Sequence, residues 1–145
     1  MVRVPAAEAG LVVRYSYLWR YEADRGRENS KDRPACIVAA VAQDDGGKVV
    51  VLLPITHLPP AADTVAIEIP PRVKAHLGLD QERSWVIVSE CNVDIWPSPD
   101  LVQIPGRSGA CEYGYLPPRL FELIRDEFLN LVRRKRVITT RRLPH

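Results

Sequence analysis

The sequence predicts a mainly β domain: a small, strongly bent antiparallel sheet or barrel, closed by one C-terminal α-helix. Three observations carry this. Short runs of β-branched and aromatic residues recur along the chain, separated by clusters of Gly, Pro and Asp. The one long stretch with apolar residues at helical spacing lies near the C-terminus. A length of 145 residues, with no internal repeat or low-complexity segment, suits a single domain over 1–145 with one core.

Residues 11–19, LVVRYSYLW, mix β-branched and aromatic side chains and predict the first strand. The polar stretch at 21–32, YEADRGRENSKD, predicts a long loop of the kind compact domains often keep for function. ACIVAAV at 35–41 and VVVLLPIT at 49–56 predict a hairpin around the turn signal QDDGGK. Its second strand is too apolar to face solvent on both sides. At 64–69, Val65, Ile67 and Ile69 alternate with Thr64, Ala66 and Glu68, the period of a strand. PPRVKAHLGLD predicts one short helical turn, opened by prolines and stopped at Gly78. SWVIVSE at 84–90 predicts a further strand, and VDIWP and LVQIP predict short strands or extended segments. The closing helix is expected from Pro118 to Arg134, with Leu120, Ile124, Phe128 and Leu131 forming one apolar stripe.

Charge is distributed unevenly. Up to Glu127 there are 14 basic and 18 acidic residues; beyond it stand six basic residues and no acidic one. Residues 135–145 are therefore expected to form a basic tail. Such a tail can attract phosphate, or it can simply complement the helix C-terminus. The second reading is preferred, because one cluster without interleaved aromatic residues is weak evidence for nucleic acid. No apolar run is long enough to span a membrane, and the N-terminal stretch lacks the apolar core of a secretory signal, so a cytoplasmic protein is expected. Cys36, Cys91 and Cys111 are odd in number and lack C-x-x-C spacing, which points away from disulfides and zinc. His57, His76 and His145 share no ligand spacing either, so no metal and no cofactor is expected.

Phosphate-loop, dinucleotide and nucleophile-elbow motifs are all missing. What remains is a set of polar residues at strand ends: Glu28 and Arg33 before one strand, Thr56 and His57 after another. Gly26, Glu28, Arg33 and Pro34 stand at the offsets of a G-S-E-Q-x-G-x-R-P loop, and Pro54-Ile55-Thr56 matches a strand ending in P-L-T. SWVIVSEC, from Ser84 to Cys91, matches a third landmark, and Gly10 with its following valines a fourth. In this order the four landmarks resemble the MazF/PemK family of toxin endoribonucleases, over most of residues 10–134.

The resemblance implies an SH3-like β-barrel with a terminal helix, a homodimer, and metal-independent cleavage of single-stranded RNA, with messenger RNA as target. It implies a type II toxin-antitoxin system in which a cognate antitoxin protein restrains the toxin. Carried onto this chain, it makes Arg33, Thr56 and Glu28 the catalytic residues. Arg33 would hold the charge of the phosphorane formed by 2′-OH attack, Thr56 would hydrogen-bond a phosphate oxygen, and Glu28 would accept the 2′-OH proton. Gly26, Lys31 and His57 would contact the RNA. His57 could also serve as a general acid, but the family motif does not demand histidine there, and a surface histidine at a loop entry is the preferred reading; Trp19 and Trp85 could stack on bases, but as strand residues are read as core or dimer interface.

The chain departs from the family at named places. Leu11 replaces a frequent aspartate, the loop reads E-N-S-K-D-R, and Ile87 and Ser89 stand where some members carry an arginine and an aspartate. Two further readings therefore stay open: a catalytically inert barrel that binds nucleic acid or protein, and a gyrase inhibitor like CcdB.

Overall fold

The hairpin over 32–56 organises the sheet. A computed structural model describes residues 2–26 and 31–142, and everything structural below refers to these. Strand β1 (Leu11–Ser16) is followed by the short helix α1 (Arg20–Asp24). The hairpin strands are β2 (Asp32–Ala42) and β3 (Lys48–Thr56). Then come β4 (Ala66–Glu68), α2 (Pro71–Leu77), β5 (Trp85–Ile87), β6 (Glu90–Trp96) and β7 (Glu112–Tyr115). The long helix α3 (Pro118–Arg133) and β8 (Ile138–Arg141) close the chain.

The antiparallel path β4-β5-β3-β2-β1-β7 curls into a half-barrel, and β6 joins it through β3. Strand β3 changes partner along its length. Its first half pairs with β6 from Lys48↔Trp96 to Leu52↔Asn92, and its end pairs with β5 at Ile55↔Val86 and Thr56↔Trp85. Pro54, which has no N–H to donate, sits at the changeover. Register shifts between Val12 and Val13 and between Ile37 and Ala39 add to the bend. The predicted class, mainly β with a terminal helix and a small barrel-like sheet, is the class observed.

Alternation sorts the apolar residues to two faces. Val12, Cys36, Leu53 and Ile55 face the stripe of α3, where Ile124, Phe128 and Leu131 are buried. Leu11, Val13, Ala35, Ile37 and Leu52 pack on the other face around Tyr15 and Tyr17. Because both faces are covered, Ala35 to Val38 are all buried. The three cysteines are free and buried, and burial pushes the Cys36 thiol up to about 12. Gly78 stops α2 in the left-handed region at φ 71°, as its position predicts.

Three expectations are corrected. The stretch read as a loop from 21 opens as α1, whose Trp19 N–H donates to Glu22 Oε1 at 3.3 Å. Of the LVQIP segment, only an isolated bridge between Leu101 and Tyr15 is sheet-like. The basic tail is the third. Residues 138–141 form β8, running parallel to β6 from Glu90↔Ile138 to Val93↔Arg141. Arg142 then turns inward with a side chain only 7% exposed. Polar groups far along the chain supply this pull: the amide oxygen of the fully buried Asn92 and the carboxylate of Asp100 both accept from Arg142. No helix among the described residues is long and apolar enough to cross a membrane.

Glu90, at the head of β6, is held at a cost. Its Oε2 accepts the Tyr17 hydroxyl at 3.1 Å and the Arg20 N–H at 3.0 Å. Burial nevertheless raises its pKa, outweighing those bonds and the Arg20 charge. A carboxyl raised above its unfolded value destabilises the fold while ionised, and that penalty disappears as pH falls below the unfolded pKa. Glu90→Gln, whose amide oxygen can keep both donors, is expected to raise Tm at pH 7, with the gain shrinking towards about pH 4. An equal gain at both pH values would contradict this account.

Candidate functional site

The hairpin brings Arg33 and Thr56 together. Extending the β2–β3 register two residues past Ala35↔Pro54 sets Arg33 beside Thr56. The strand entry is fixed from the other side as well, since Arg33 pairs with Tyr15 of β1. Pro34 restricts the Arg33 backbone to extended conformations. Both side chains border two neighbouring cavities, so they form the crest between them.

Arg33 is half-buried, and its guanidinium lies 5.2 Å from the centre of the Trp19 ring. Its Nε is buried without a hydrogen-bond partner among the described residues. Desolvation lowers its pKa, opposed by the charge of Glu22 and by Tyr21 and Tyr17; an arginine stays cationic regardless. A buried cationic donor without an acceptor is costly in a free protein, and an anion would relieve it. Thr56 is buried, and its Oγ1 accepts the Leu58 N–H at 3.2 Å, which leaves its own hydrogen to be donated.

The first cavity, of about 360 Å³, is polar and cationic. Arg14, Lys31, Arg33 and Lys74 line it against Asp32 and Asp80, with His57 at its edge. Lys74 of α2 is nearly inaccessible, and its ammonium donates to Asp80 Oδ1 at 2.7 Å, to Ser84 Oγ at 2.7 Å and to the Glu82 carbonyl. Asp80 also meets His57, with 2.7 Å between Oδ2 and Nε2. Burial pulls the Asp80 carboxyl up, but the Lys74 bond and charge, with His57, hold it below the usual range. The second cavity, of about 470 Å³, is more apolar: Trp19, Tyr21, Leu58, Pro59, Ile87 and Ile138 form its walls. Ser89 and Glu90 supply polar groups there.

The predicted residues are therefore partly assembled. Arg33, Thr56, Lys31 and His57 share the first cavity. Gly26 is exposed in the turn after α1, and Glu28 lies outside the described residues. Trp85 is a buried strand residue beneath Arg83, as expected of a core position, whereas Trp19 is in contact with Arg33. Sequence reasoning passed over Lys74, Asp80 and Arg14. The spacing of the histidines also gave no sign that donor atoms of His57, Asp80 and Glu82 lie within 4.8 Å of one another. Lys74 takes the other oxygen of Asp80, so a cation held there would share that carboxylate with an ammonium. Compared with known proteins, the chain matches no family model and no curated protein.

Proposed function

We propose that the protein is a metal-independent endoribonuclease that cuts single-stranded RNA, the toxin of a type II toxin-antitoxin pair of the MazF/PemK kind. The observation that carries this reading is the Arg33–Thr56 crest, where the Arg33 Nε has no hydrogen-bond partner among the described residues, between a cationic and an apolar aromatic cavity. A polynucleotide needs that combination. Its phosphate would sit on the crest, where a rigid guanidinium and a hydroxyl can both donate to its oxygens. The flanking nucleotides would lie in the two cavities, one base against Trp19 or Tyr21. The crest would then stabilise the extra negative charge of the phosphorane, commonly a large share of the rate enhancement. Glu28, which lies outside the described residues, is the base in this reading, and Lys31 and Gly26 would contact the RNA.

The partners that complete the reading are messenger RNA, an antitoxin protein and a second copy of the chain, in the cytoplasm. The exposed apolar residues Leu129 and Val132, neighbours on one flank of α3, support a covered homodimer face. Incubated with a long single-stranded RNA of mixed sequence in EDTA, the wild-type protein is expected to cut at selected sites and leave 2′,3′-cyclic phosphate and 5′-hydroxyl ends. Light scattering should give twice the 16.3 kDa chain mass. Cutting that needs a divalent ion, or no cutting at all, would reject the mechanism.

A further inference from the structure

Beyond Arg33 and Thr56, the first cavity holds a third reactive group on a built support. We infer that His57 is the general acid of the proposed cleavage, delivering a proton to the departing 5′-oxygen, with Asp80 and Lys74 as its positioning residues. This rests on the reading of the protein as a ribonuclease, and of the roles that the sequence left open for His57 it takes the general acid, on the geometry that follows.

The geometry supports it in three steps. His57 lines the same cavity as Arg33 and Thr56, so a phosphate held on the crest can bring its leaving oxygen towards the imidazole. The Nε2 of His57 is held 2.7 Å from Asp80 Oδ2, while Nδ1 is 3.6 Å from Glu82 Oε2, beyond good hydrogen-bond length. Nε2 therefore orients the ring, and Nδ1 is the nitrogen left to react. Asp80 is not free to follow the ring about, because the other oxygen of its carboxylate is fixed by the buried Lys74, itself pinned by Ser84 and the Glu82 carbonyl. A surface ion pair has no need of such a support.

The step balances without another reactant. The 2′-oxygen forms a bond to phosphorus as its proton passes to the base. The bond from phosphorus to the 5′-oxygen breaks, and that oxygen takes the proton from Nδ1. The products are a 2′,3′-cyclic phosphate and a 5′-hydroxyl, and His57 regains its proton from water. Imidazole suits this work because it exchanges protons near neutral pH. The charged groups facing it are Asp80 and Glu82 beside it, Lys74 behind them, and Arg14, Lys31, Asp32 and Arg33 across the cavity.

The test uses an oligonucleotide spanning a site first mapped on a long single-stranded RNA. It is made twice, once with the natural 5′-oxygen and once with sulfur in that bridging position, because a thiolate leaves without an acid. On the oxygen substrate, His57→Ala is expected to lose about 100-fold in single-turnover rate. On the sulfur substrate the loss should shrink to less than about tenfold, since the missing proton is no longer needed. Asp80→Asn should show a smaller loss that sulfur also rescues. An equal loss on both substrates would reduce His57 to a binding residue, and no loss would remove it from the site. If the wild type cuts no RNA, the ribonuclease reading falls and this role with it, an outcome distinct from a failure of His57 alone.

Discussion

Arg33→Ala is expected to abolish RNA cleavage while leaving the fold intact. A single preorganised donor to a developing oxyanion is worth about 100- to 1,000-fold in rate. Arg33 would supply a full charge and more than one donor, so the loss should reach at least that range. The fold should survive because the side chain makes few commitments within the protein. Its Nε has no partner among the described residues, and its backbone pairing with Tyr15 does not depend on the guanidinium. The main interaction removed is the stacking on Trp19, about 0.5–1 kcal/mol at a partly exposed site. Arg33→Lys should recover little, because an ammonium cannot present a planar two-pronged contact. Thr56→Ala should lose about tenfold, the equivalent of one ordinary hydrogen bond. Equal cleavage by Arg33→Ala and wild type, with matching circular dichroism, would take Arg33 out of the site and favour an inert binding barrel.

The largest effect on stability is expected at Arg142. Its Nη1 donates to the Ser16 carbonyl at 2.8 Å, to Asn92 Oδ1 at 3.1 Å and to the Tyr15 hydroxyl at 3.2 Å. Its Nη2 reaches Asp100 Oδ2 at 3.0 Å. The same cluster binds the Tyr15 hydroxyl to Asp94 at 2.6 Å and the Ser98 hydroxyl to Asp94 at 2.7 Å. Burial, then Asp94, push the Tyr15 phenol well above its ordinary range, while the Arg142 charge works against both. Arg142 is nearly buried while Asp100 keeps part of its side chain in solvent, and truncating Arg142 removes several hydrogen bonds from a charged donor, each worth about 1.5–3 kcal/mol. That is a large part of the margin of an ordinary domain. Arg142→Ala should therefore unfold at much lower urea, with Arg133→Ala as the near-neutral surface control. A loss below about 1 kcal/mol would make Arg142 an ordinary surface cation and restore the basic-tail reading.

What the sequence disclosed follows from the range over which each signal acts. The hairpin and α3 were legible because alternation, the QDDGGK turn and the spacing of Leu120, Ile124, Phe128 and Leu131 are local patterns. The short helix α1 was hidden because none of its residues is buried, so it carries no apolar period. Strand β8 was hidden by its flanking arginines. Ile138, Thr139 and Thr140 carry strand propensity, but the inward pull on Arg142 comes from Asp100 and Asn92, more than 40 residues earlier. At the site, Arg33 and Thr56 were within reach because they terminate paired strands. Lys74 and Asp80 were not, since their contact with His57 depends on how α2 packs beside the end of β3.

The most direct measurement of the central claim is a crystal structure of the protein with a mapped single-stranded RNA. A 2′-O-methyl group on the nucleotide before the cut would block the reaction without removing the phosphate. The account predicts the scissile phosphate on the crest, with oxygens within hydrogen-bond distance of the Arg33 guanidinium and the Thr56 hydroxyl, and the flanking nucleotides in the two cavities. A phosphate bound instead along Arg133 and Arg134, with the crest empty, would contradict it.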